Sequence, residues 1–276
     1  MTRGIQRRDA TVLSIAIVIA AVVLGAVACS GGPTAPTPPP AVPSSSPQPP
    51  AASFVFKYQD GVASEDRADI EATAPAVKAY FDEQFGKTLS GTITFDVRFE
   101  VGPNASGTAG NNTVTIYTLS PFGWTNVGKV LRVKTIAHEL FHILQQQAGW
   151  SGFGWLLEGS AEYAGYRFVA DTGLVSFDII KSCQIYNYGT SHEPPLQELE
   201  RMFSAPDNRY AIAWQAWHHL LDIPGFRSIG DYLGWGSFSS AFGRSLSVFY
   251  DDFEVYRRTL QPTAATVAAC QILHHP

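Results

Sequence analysis

The chain has 276 residues, 45% hydrophobic and 12% aromatic, which excludes wholesale disorder and allows one large domain or two small ones. Three cysteines are too few for a disulfide scaffold or a cysteine zinc cluster. With 19 basic and 24 acidic residues, a net charge of −5 and no block of Lys and Arg, the chain lacks the footprint of a nucleic-acid partner.

Arg3, Arg7 and Arg8 precede an apolar run from Val12 to Ala28, which closes as Ala26-Val27-Ala28-Cys29. A basic head, an apolar stretch and small residues before a cut point mark an export segment. The closing residues resemble a bacterial lipobox, in which Cys29 is lipidated and becomes the first mature residue, although Ala26 stands where Leu is usual. An uncleaved membrane anchor and plain cleavage near Ala28 are the alternatives, and all three put residues 53–276 in the periplasm or outside the cell. Residues 30–52 are uncharged and hold nine of the 18 prolines, a composition that stays extended and semi-rigid. The expected organisation is a signal or membrane segment (1–28), a lipid-anchored proline-rich linker (29–52) and a folded domain (53–276). Nothing in the chain sets an oligomeric state.

Within the domain, Ser53–Tyr58 alternates like a strand. Asp66 to Phe85 has helical spacing, with Pro75 expected to kink or split it. Thr92–Val101 and Asn112–Leu119 alternate as half-buried strands, separated by a Gly/Ser/Asn turn region at 102–111. The period then becomes helical. Val130–Gln147 carries one apolar face and ends at Gly149, Leu156–Phe168 and Arg209–Leu221 follow, and Ser237–Arg257 reads as one long helix with an aromatic stripe. Strands first and helices afterwards predict an α+β domain.

The chemistry sits in His138-Glu139-Leu140-Phe141-His142, inside the 130–147 helix. Residues four apart share a helix face, so both imidazoles can reach one Zn²⁺ at about 2.0–2.1 Å. Glu139 is turned about 100° away, too far to be a natural ligand with both imidazoles but able to take a proton from a metal-activated water. A catalytic site keeps three protein ligands, and Glu158, on the next helix, can supply the third. A satisfied or solvated pair of histidines is the plain alternative.

His-Glu-x-x-His followed within about twenty residues by Trp155-Leu156-Leu157-Glu158-Gly159-Ser160-Ala161-Glu162-Tyr163 resembles the gluzincin metallopeptidases, the thermolysin-like and aminopeptidase-like group. The resemblance implies a zincin-like α+β fold: an N-terminal twisted mixed sheet with the active-site helix, then a mainly helical C-terminal lobe. It implies Zn²⁺ held by His138, His142 and Glu158, and Glu139 as general base. It implies that Glu162 supports a zinc histidine, and that a Tyr or His further on donates to the oxyanion. Tyr210 is the first choice for that donor, with His218 and His219 as rivals. The amine-binding motif of the aminopeptidases has no counterpart in 53–137, so the resemblance is to a small peptidase rather than to an aminopeptidase proper.

The expected activity is hydrolysis of a peptide or protein substrate, whose backbone would lie along an exposed edge strand. Asn112–Leu119, the last strand before the metal helix, is the candidate edge. Trp150, Phe153 and Trp155 are either an apolar rim or core. The rival readings are a surface-anchored binding protein on an inactive scaffold and a zinc amidase of cell-wall peptides. His192 reads as a surface residue, and His274 and His275 as a fraying end. Cys183 and Cys270 can pair in an oxidising compartment, but sequence does not show that they meet.

Overall fold

The computed structural model describes residues 52–102, 106–120, 124, 128–150, 152, 154–189, 194–200, 208–235 and 237–274. The export segment, Cys29, and the linker up to residue 51 lie outside the described residues, as do Phe153, His192 and His275. Among the described residues no helix is long and apolar enough to cross a membrane.

The first strand, β1 (Ser53–Tyr58), leads into helix α1 (Ser64–Phe85) and back to β2 (Thr92–Arg98), which lies parallel to β1. A parallel pair needs such a crossover. Pro75 neither splits nor ends α1, which runs unbroken from Ser64 to Phe85. Next come β3 (Gly107–Gly110) and β4 (Thr113–Tyr117), an antiparallel hairpin. β4 also pairs in parallel with β2, so the order across the sheet is β1-β2-β4-β3. The sheet is therefore mixed, and the expected α+β class is what the chain adopts.

Two expectations fail here. The region 102–111 is not all turn, because Gly107–Gly110 forms a strand, and the candidate edge, Asn112–Leu119, contains β4, which is enclosed between β2 and β3. The tight turn is Asn111-Asn112, both with positive φ (50° and 56°). A two-residue hairpin of the twist-matched kind requires that conformation, and Asn tolerates it. The last turn of the next helix holds the hairpin: Asn111 N–H donates to Gln146 Oε1 (3.1 Å), and Gln147 Nε2 donates to Asn112 Oδ1 (2.9 Å).

Ile93, Phe95 and Val97 of β2 and Val114 and Ile116 of β4 are fully buried. They share one core with Ile70, Val77, Phe81 and Phe85 of α1 and with Ile136, Leu140, Phe141 and Leu144 of α2 (Lys129–Gln147). Phe81 and Phe85 meet Phe141 edge-on, with ring centroids 5.5 and 5.7 Å apart. α2 ends as its sequence predicts. Gly149 takes φ +68°, and the amides of Gly149 and Trp150 bond back to Gln146 and Gln145 carbonyls.

The rest is helical: α3 (Gly154–Asp171), α4 (Phe177–Gly189), a 3₁₀ turn (Leu196–Glu200), α5 (Asn208–Leu220), α6 (Ser228–Trp235), α7 (Phe238–Phe242), α8 (Leu246–Arg257) and α9 (Ala264–His274). The expected single helix 237–257 is two, α7 and α8. Gly243 leaves α7 with φ +68°, and the Ser245 hydroxyl accepts from Val248 N–H to start α8. The aromatic periodicity survives the break because both pieces bury into the same core, through Phe242, Phe249 and Phe253.

α3 lies between α2 and α5, and glycines set both approaches. A Cβ at Gly165 would stand 2.9 Å from the Lys134 carbonyl oxygen of α2. A Cβ at Gly159 would stand 2.8 Å from Ala213 Cβ of α5. Neither contact is one that real side chains make, so α3 sits closer to both neighbours than an alanine would allow.

Cys183 of α4 and Cys270 of α9 are joined as a disulfide across 87 residues. Such a bridge stabilises mainly by restricting the unfolded chain. Replacing both cysteines by Ser is expected to cost about 2–4 kcal/mol in urea unfolding. Reductant should destabilise the wild type and leave the double variant unchanged.

Candidate metal and catalytic site

His138 and His142 project from one face of α2, and Glu158 reaches them from the first turns of α3. His138 Nε2 and His142 Nε2 are 3.0 Å apart. Glu158 Oε2 lies 3.2 Å from the second and 3.4 Å from the first. Three donors on a tetrahedral Zn²⁺ at the usual bond lengths would be about 3.3 Å from one another. The separations match that, and two imidazoles with one carboxylate are a donor set that zinc takes. These residues therefore fit the ion.

Each imidazole has a second partner on its outer nitrogen. His138 Nδ1 stands 3.0 Å from Glu162 Oε2, one helical turn beyond Glu158, as a close ion-pair contact whose N–H direction runs off the line to that oxygen. Glu162 is buried and held from the far side by Lys134, whose Nζ lies 3.1 and 2.9 Å from its two oxygens. His142 Nδ1 instead meets Gln145 Oε1 at 2.7 Å. Gln145 is buried, and its Nε2 donates to the Leu157 carbonyl (3.0 Å) and to Ser160 Oγ (2.8 Å).

Charge follows from this packing in the metal-free chain. Burial disfavours the Glu162 carboxylate, but Lys134 and His138 outweigh it and bring the group down to about 2. Burial likewise resists ionisation of Glu158, yet its bonds from His138 and His142 hold it well below the usual carboxylate range. His138 feels the opposite balance: burial lowers its pKa, while Glu158 and Glu162 raise it to about 9. Burial raises the Glu139 carboxyl against the pull of the two imidazoles.

Glu139 is buried against the edge strand. A Cβ on Gly107 of β3 would lie 2.8 Å from both Cγ and Oε1 of Glu139, so a side chain there would claim the carboxyl's place.

Tyr210 opens α5, one turn before Ala213, where Gly159 admits that helix. Its ring centroid lies 6.2 Å from that of His138. The rivals are engaged elsewhere. His218 lies in an aromatic cluster with Trp214 (5.2 Å) and Phe177 (6.0 Å), and burial lowers its pKa to about 4. His219 stacks on Tyr256 at 4.2 Å and bonds Asp252 Oδ2 at 2.9 Å, tying α5 to α8. Trp155 is fully buried and donates to Tyr250 Oη (3.1 Å), so it is core rather than rim. Trp150 is half-buried against Tyr232 (4.8 Å).

Four participants escaped the sequence reading: Lys134, Gln145, Ser160 and Gly107. The first two carried a signal, since they stand four residues before His138 and three after His142, offsets that share a helix face.

No family model matches the chain, and no curated protein does. Among solved structures it is similar to a mutant of an M1 zinc metallopeptidase from Deinococcus radiodurans, at 15% identity and a TM-score of 0.45, over 81% of this chain and 48% of that one. The chain thus spans about half the length of that enzyme.

Two outcomes are expected. Gly107→Ala should displace the Glu139 carboxyl and leave metal uptake unchanged; a structure of the variant beside metal analysis checks it. Because His138 is raised to about 9, it is protonated below that pH, and an ion must displace its proton. Zinc affinity should therefore rise with pH and level off above about 9, with about one proton released from His138 per ion at pH 7, measured by titration calorimetry in buffers of different ionisation enthalpy.

Proposed function

We propose that this chain is an exported zinc-dependent metallopeptidase that hydrolyses peptide bonds. The observation that carries the reading is the meeting of His138 Nε2, His142 Nε2 and Glu158 Oε2 within 3.0–3.4 Å, with the buried carboxyl of Glu139 beside them. A metal-binding site without catalysis would have no use for Glu139.

Zn²⁺, held by His138, His142 and Glu158, would supply Lewis acidity and bring a water's pKa towards about 7. Glu139 takes the proton from the attacking water and later delivers it to the leaving amine. Tyr210 donates to the oxyanion of the tetrahedral intermediate, where charge develops. Lys134 keeps Glu162 ionised, and Glu162 in turn steadies His138.

The substrate's rail is β3. Ser106 and Tyr117 form a hydrogen-bonded pair, and alternation then turns the backbone groups of Gly107 and Ala109 to the open side of the sheet. Gln146 Nε2 already bonds the Ala109 carbonyl (3.2 Å). Among the described residues the N–H of Ala109 has no hydrogen-bond partner and would meet a peptide laid alongside, while Gly107 is buried beside Glu139.

The export part of the proposal rests on the N-terminal segment and its Cys29. The Cys183–Cys270 bridge supports an oxidising location. In this reading lipidated Cys29 holds the domain to the membrane through the proline-rich stretch.

The test uses the full chain, assayed for zinc by mass spectrometry and for cleavage of unfolded casein with and without chelator. Wild type should carry about one zinc and lose cleavage when it is stripped. His138→Ala should lose the ion. Glu139→Gln should keep it and drop kcat about 10²–10⁴-fold, and Tyr210→Phe should keep it and drop kcat about 10²–10³-fold. Full cleavage by Glu139→Gln would sink the mechanism, and a wild type that takes up no zinc would sink the metal reading.

A further inference from the structure

Gln145 does more than fill space. Its amide has one acceptor, Oε1, and one donor group, Nε2. Nε2 faces the Leu157 carbonyl at 3.0 Å, and a carbonyl oxygen only accepts, so the donor end must point there. Oε1 is then the atom 2.7 Å from His142 Nδ1, and it too only accepts. His142 Nδ1 must carry the proton. In its neutral form the ring's lone pair is therefore on Nε2, the nitrogen that faces His138 and Glu158.

The other end of the same amide is fixed to α3. Ser160 Oγ accepts from Gln145 Nε2 (2.8 Å), and its one hydroxyl proton is shared between the carbonyls of Leu156 (2.7 Å) and Leu157 (2.9 Å). Trp217 Nε1 also holds the Leu156 carbonyl (3.1 Å). Leu157 immediately precedes Glu158. One side chain thus joins the imidazole on α2 to the backbone that presents the carboxylate on α3, inside a buried network with little tolerance for a lost partner.

We propose that Gln145 is the positioning residue of the metal site: it locks His142 in the Nδ1–H tautomer and sets that ring against Glu158. The proposal rests on the metallopeptidase reading, in that it needs His142 to be a ligand. The two imidazoles are then oriented by different means: a lysine-clamped carboxylate for His138 and a neutral amide for His142. The amide orients a ring without adding charge to a site that already holds three acids.

The test uses the full chain and has readouts that do not depend on activity. In wild type loaded with zinc, ¹⁵N NMR of labelled histidine should show His142 with its proton on Nδ1 and the metal on Nε2; the reverse would overturn the proposal. Gln145→Met, which removes both ends of the link, should weaken zinc affinity about 10–100-fold and shift the visible spectrum of the cobalt-substituted protein. Gln145→Glu keeps the acceptor for His142 but loses the donor to Leu157 and Ser160, and should lose less zinc affinity than Gln145→Met. Equal losses in the two variants would show a packing role and overturn the proposal, as would an unchanged affinity and cobalt spectrum in Gln145→Met. Both of those results would leave the metal reading standing, provided wild type still binds one zinc. A wild type that binds neither zinc nor cobalt would overturn both.

Discussion

The close crossing of α2 and α3 is the constraint on which the site depends. Two imidazoles on one helix face come almost free with a four-residue spacing, but a carboxylate must still arrive from another element. It arrives because Gly165 lets α3 settle against the Lys134 carbonyl. At that depth Glu158 meets both rings and Glu162 meets one ring and a lysine. Gly159, facing the other way, admits α5 and so brings Tyr210 beside His138. Residues lacking side chains thus determine where three reactive side chains stand.

The buried charges are kept together by this packing. Glu158, Glu162 and Glu139 would repel one another without the cations set among them. Lys134 takes part of that burden permanently, and a protonated His138 takes another part when no ion is bound. A divalent ion held there would take the place of that proton, so the cluster would be stabilised either way. A buried carboxylate is costly unless it is paired, and pairing here also orients a ligand.

Much of this was legible in the sequence, for reasons that differ by element. α2 declares itself through a single apolar face and a glycine just past its end, and its His-Glu-x-x-His needs only helical geometry to be understood. Glu158 was readable from its place on a helix that follows closely, and Glu162 from the gluzincin resemblance. β3 was not readable: Gly-Thr-Ala-Gly has no alternation and low strand propensity, and it becomes a strand only because Asn111-Asn112 folds it onto β4. The break between α7 and α8 was hidden because the aromatic period runs through it, while the decisive signals were local ones, Gly243 and Ser245. Gln145 and Lys134 share a helix face with the histidines, but their partners on α3, Leu157, Ser160 and Glu162, are distant in sequence and only the tertiary fold supplies them.

The hairpin clamp has a consequence for how the domain can vary. Gln146 and Gln147 grip the Asn111-Asn112 turn from the final turn of the helix that carries His138, Glu139 and His142. Hairpin and His/Glu cluster are thus mounted on one rod, and their relative offset is counted in residues along it. One residue inserted between His142 and Gln146 would swing the grip about 100° off the hairpin while leaving the histidine signature intact. Chains of this design should therefore tolerate length changes in the loop after Gly149 far better than within that four-residue step.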